Sequence, residues 1–140
     1  MKPLRIVALL TLLFLGVTSI VGSIPLILDP SGGMLGLPLS LLKHSAFHNY
    51  LIPGLILLVT NGLVVVVVFV AAARRVAGYG NMIATQGVVI AGWITVEVIL
   101  LQTVVWAHYV YWAVGLVLMV CGVALRRDRK VAAPVLVAKN

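Results

Sequence analysis

Residues 51–73 read LIPGLILLVTNGLVVVVVFVAAA, and no charged side chain interrupts them. A helix rises 1.5 Å per residue, so about 20 apolar residues cross a hydrocarbon core of about 30 Å. The five valines 64–68 would favour a strand in water. In lipid a lone strand leaves its backbone N–H and C=O groups unpaired, whereas a helix pairs them internally. The alternation that marks a membrane barrel strand is missing. The stretch therefore reads as a membrane-crossing helix.

Working outward, three further stretches have the same character, at 6–28, 82–105 and 107–125. The chain of 140 residues is 63 % hydrophobic and only 9 % charged, with a mean hydropathy of +1.22. Such a chain has too few polar groups to cover a water-facing surface, which excludes both a soluble domain and intrinsic disorder. The expected fold is an all-α membrane protein, four transmembrane helices in an antiparallel bundle, followed by a basic cytoplasmic tail over 126–140. The first stretch has a rival reading as a signal peptide, because Lys2 and Arg5 precede an apolar run that passes Val21-Gly22-Ser23. The run continues through Leu28, longer than the usual 7–15-residue signal core, so a retained span is expected.

Orientation follows from the basic residues. With the N-terminus inside, Lys2, Arg5, Arg74, Arg75, Arg126, Arg127, Arg129, Lys130 and Lys139 are cytoplasmic, and only Lys43 is outside. Nine against one gives a plasma-membrane protein with both termini cytoplasmic. Arg74, Arg75, Arg126, Arg127, Arg129 and Lys130 are placed to meet anionic headgroups. The net charge of +7 does not indicate nucleic acid, because the basic residues flank apolar runs and form no stripe with interleaved aromatics. Cys121 is the only cysteine, which excludes an intrachain disulfide and cysteine-based metal centres.

The connection at 29–50 is the long one. Asp29-Pro30-Ser31-Gly32-Gly33 is a turn signal, and Pro38 could begin a short interfacial helix on the outer surface. On such a helix His44 and His48, four apart, would share a face, with His108 on the same side of the membrane. Three imidazoles with Asp29 could hold zinc, copper or haem iron, although H-x-x-x-H alone is a weak signal and interfacial histidines are the plainer reading. No cofactor is expected.

Glu97 is the most informative residue. The span 82–105 places it about 11 Å below the outer boundary. An ionisable group at that depth costs roughly 2.5–3.5 kcal/mol and so is a functional candidate. Depth counting puts Ser19 and Asn61 in the same layer, so Ser19, Asn61 and Glu97 are expected to form one polar layer from three helices. Gln86, Trp93 and Glu97 share a helix face that should point inward. Glu97 reads either as a proton- or cation-coupled site or as a neutral carboxyl hydrogen-bonded across the bundle.

His44-Ser45-Ala46-Phe47-His48-Asn49-Tyr50-Leu51-Ile52-Pro53-Gly54-Leu55-Ile56-Leu57, with Gly92-Trp93-Ile94-Thr95-Val96-Glu97, resembles a group of small bacterial four-span membrane proteins. The resemblance covers about the middle two-thirds of the chain. It implies four spans in a bacterial plasma membrane and carries no catalytic residue with it. Small multidrug transporters are similar only in having four spans and a glutamate. Theirs lies in the first span, where this chain has no acidic residue. No phosphate loop, G-x-S-x-G motif or carboxylate pair marks an enzyme. The leading expectation is a non-enzymatic accessory or scaffold component of a membrane complex, partnered by another protein or by copies of itself. A small proton-coupled transporter using Glu97 is the alternative, and a metal or haem protein using His44, His48 and His108 is a further one.

Overall fold

A computed structural model describes residues 2–138, with side chains described through Arg127. Helix α1 is Lys2–Leu28; α2 (Leu51–Leu58) and α3 (Val64–Ala73) are joined through a π-turn at Val59–Leu63; α4 is Tyr79–Leu101 and α5 is Trp106–Ala138. Among the described residues, four helical stretches are long and apolar enough to cross a membrane: Lys2–Leu28, Leu51–Ala73, Tyr79–Leu101 and Trp106–Arg127. The protein is an all-α membrane bundle. Leu10, Val21, Val67, Val88, Ile99 and Val120 stay exposed around it, the apolar exterior that a lipid solvent permits.

The core is a single apolar column. Ala8, Leu12 and Leu15 of α1 meet Val65, Val68 and Ala72 of α3, Ile83 and Ile90 of α4, and Leu118 and Leu125 of α5. The closest packing joins α4 to α5. A Cβ on Gly87 would lie 2.6 Å from the Gly115 carbonyl oxygen, and one on Gly122 would strike the Ala84 amide nitrogen and lie 2.6 Å from the Gly80 oxygen. Glycine is required there because backbone meets backbone, where dispersion contacts replace the hydrophobic drive that lipid does not supply.

At this basic end Arg5 Nη1 donates to the Ala72 and Ala73 carbonyls, at 3.4 and 3.3 Å. A cation thus meets the C-terminal carbonyls of α3, where the helix dipole is negative. Arg74, Arg75, Arg126 and Arg127 are exposed at the same end, and Arg129 and Lys130 lie outside the residues whose side chains are described. Within the expected basic tail, 126–140, α5 continues to Ala138.

The opposite, loop end departs from expectation in two ways. The 29–50 connection holds two 3-10 turns, Gly33–Leu35 and Leu39–Leu42, with no interfacial α-helix. Gly36, at φ +66°, ends the first turn, and Pro38 stands extended before the second. The connection folds back over the bundle: the Tyr50 amide donates to Pro30 O at 2.8 Å, the Tyr50 hydroxyl donates to Pro38 O at 2.8 Å, and Leu26, Leu42 and Tyr50 form a second small core. Gly32 sits at φ +82°, and a Cβ there would lie 2.7 Å from the Tyr50 ring. Second, α4 ends at Leu101 and not at 105. Gln102 takes a left-handed conformation, φ +52°, and its N–H closes the helix on Val98 O at 2.8 Å. The link to α5 is the four residues 102–105.

Candidate functional site

The earlier end of α4 moves Glu97. It lies four residues from the helix end, about 6 Å at 1.5 Å per residue, close to the mouth of the bundle. His108 lies in the first turn of α5, two residues from its start, and the two face each other across the hairpin, with Glu97 Oε2 3.6 Å from His108 Nε2. The His108 side chain is 7 % exposed and the Glu97 side chain 36 %.

A hydrogen bond fixes the state of His108. The Val105 N–H donates to His108 Nδ1 at 2.9 Å, so Nδ1 must present its lone pair. The ring proton is then on Nε2, directed at Glu97, and the imidazole is neutral. A doubly protonated ring would set two N–H donors against each other.

Both side chains line a cavity of about 340 Å³ at the loop end. Its walls come from every element there: Thr18, Ser19 and Gly22 of α1, Leu41, Phe47 and Tyr50 of the connection, Pro53 and Leu57 of α2, Ile90 and Trp93 of α4, and Ala107 and Tyr111 of α5. The folded connection is its roof. The volume falls within the roughly 300–1,000 Å³ of small-molecule pockets, as does the pattern of apolar walls with a few convergent polar groups.

The expected layer of Ser19, Asn61 and Glu97 is therefore divided. Ser19, which is buried, and Glu97 line the same cavity. Asn61 belongs to a different polar cluster lower in the bundle. Gln86 Nε2 donates to Asn61 Oδ1 at 3.2 Å and to Thr60 O at 3.0 Å, and Asn61 Nδ2 donates to Thr60 Oγ1 at 3.0 Å. The π-turn explains this cluster. Widening the helix by one residue withdraws backbone carbonyls from the normal ladder, and Gln86 reaches across from α4 to satisfy one of them. Gln86 is three turns from Glu97, about 16 Å. The inward face of Gln86, Trp93 and Glu97 is present, but it serves two separate places.

The histidines do not converge. His44 and His48 are exposed on irregular backbone, so a shared helical face does not exist, while His108 is buried against Glu97. Among the described residues no group of three or more His, Cys, Asp or Glu could hold a metal ion. Asp29 instead organises the connection. It accepts from the Ser31 hydroxyl and N–H and from the Met34 N–H. The Ser31 hydroxyl first, then these backbone donors, hold its carboxyl below the ordinary value against the raising effect of desolvation. Burial pushes the Tyr50 phenol up. Trp106 and Tyr109 are exposed at this end, and Tyr109 meets Trp112 edge-on at 5.9 Å, as amphipathic aromatics do at a membrane interface.

No protein family, curated protein or solved structure matches the chain.

Proposed function

We propose that this protein takes an apolar small molecule into the loop-end cavity, with Glu97 and His108 as its polar contact, and acts as a non-enzymatic carrier for it. The observation that carries this is the 340 Å³ cavity reaching Glu97. A structural glutamate would sit in a filled bundle, bonded across it, as Asn61 and Gln86 are. Glu97 instead meets open space and a neutral histidine. The basic asymmetry supports an orientation with the loop end, and so the cavity, on the outer face of a plasma membrane. The resemblance of residues 44–57 and 92–97 to small bacterial four-span proteins supports a bacterial one. The accessory reading rests on the exposed apolar faces, which lipid explains equally well.

The test is binding of neopentylbenzene, measured by equilibrium dialysis against phosphatidylcholine nanodiscs with and without the protein. Saturable binding above the empty discs is expected. Leu57→Trp, which fills the cavity from α2, should remove it. Uptake equal to that of empty discs would overturn the proposal.

A further inference from the structure

We infer that the cavity is selective for a small organic cation, an amine or quaternary ammonium on an apolar body. This rests on the binding reading above and names the ligand class for the same site.

Charge is the first argument. Among the described residues, the titratable groups lining the cavity are Glu97, His108, Tyr50 and Tyr111. The α1 wall offers only the hydroxyls of Thr18 and Ser19, and the α2 wall, Pro53 and Leu57, offers no titratable group. Among the described residues no Lys or Arg lines it. The Tyr50 hydroxyl is spent on Pro38 O. The Val105 N–H on Nδ1 opposes protonation of His108, which makes it a poor counter-ion for Glu97. An ionised Glu97 therefore has no positive partner in the cavity. An anionic ligand would add repulsion, and a neutral one would leave the carboxylate unpaired in an apolar enclosure. A cation satisfies it.

Shape is the second argument. Phe47, Tyr50, Trp93 and Tyr111 all line the same space. Aromatic faces attract an organic cation through their quadrupole and accommodate its apolar body, and they do so most strongly when water is excluded. A carboxylate with four aromatic rings is a site for a charge that is diffuse and apolar-coated, in preference to a hydrated metal ion. The proton and the cation compete for one carboxyl, so acid should displace the cation.

The experiment compares benzyltrimethylammonium with neopentylbenzene, which has the same shape with carbon in place of the charged nitrogen. Both are dialysed against the full chain in phosphatidylcholine nanodiscs. A preference for the cation of roughly tenfold is expected. It should decline as the pH is lowered and Glu97 takes a proton. It should disappear in Glu97→Gln. Equal affinity for the two probes would overturn the cation assignment and leave the binding reading standing. Failure of both probes to bind would overturn both. A preference that survives in Glu97→Gln would remove Glu97 from the site. The pH series on the unaltered chain decides the matter even if the variant does not fold, since a preference unchanged by acid contradicts a carboxylate partner.

Discussion

The α4–α5 hairpin is built differently at its two ends. Towards the basic end Gly80 and Gly87 face Gly115 and Gly122, and the two backbones touch. Towards the loop end the lining positions hold Trp93, Glu97, His108 and Tyr111. Large side chains there stand between helices that glycine brings together lower down. The residue sizes of one hairpin thus produce a solid half and a hollow half. The solid half holds the Gln86–Asn61 cluster, and the hollow half holds Glu97 and His108.

The contrast can be broken most severely by making the same change in each half. Gly122→Ala puts a methyl group into the backbone of Ala84 and should cost about 3 kcal/mol, the upper part of the usual overpacking range. Gly22→Ala, on the cavity wall with nothing within 4 Å of the new Cβ, should stabilise by about 0.5–1 kcal/mol through helix propensity. Unfolding titrations in mixed micelles would read both. Effects of the same sign would mean that the halves do not differ in packing.

A middle-sized effect is expected at the boundary between the halves. Gln86→Leu removes the donor that serves Asn61 Oδ1 and Thr60 O, and should cost about 1–2 kcal/mol by the same titration. No change would show that the π-turn is satisfied without α4.

The smallest effect concerns the roof. The Asp29 carboxyl titrates below its ordinary value, so its contribution is present above about pH 4 and is lost as pH falls through the folded-state value. Deuterium exchange at the amides of residues 31–37, corrected for intrinsic rates, should rise as pH is lowered into that window. In Asp29→Ala it should be high throughout. A flat profile in the unaltered chain would remove Asp29 as the tie that holds the roof.

The four spans were legible because hydropathy over about 20 residues measures the quantity that lipid selects. What hydropathy does not see is a left-handed residue. Thr103-Val104-Val105 extends the apolar run past Leu101, and the only local signal for the stop is the polar Gln102. That one turn displaced Glu97 by four residues and paired it on paper with Asn61, when its partner was His108. The pair becomes visible once the turn is placed, since Glu97 is then near the end of α4 and His108 near the start of α5. The interfacial helix failed for a related reason. Gly32 and Gly36 adopt backbone angles that other residues avoid, and the connection uses them to fold over the cavity.

The π-turn at Val59–Leu63 has a consequence for any mutational scan of this segment. One additional residue in a turn rotates everything after it by about 100° relative to a regular helix. Residues 51–58 and 64–73 share one axis but not one helical wheel. A periodicity of 3.6 will fit the sensitivity of each part and fail across the whole. A phase slip near Asn61, found in a scan made without any structure, would locate the turn on its own.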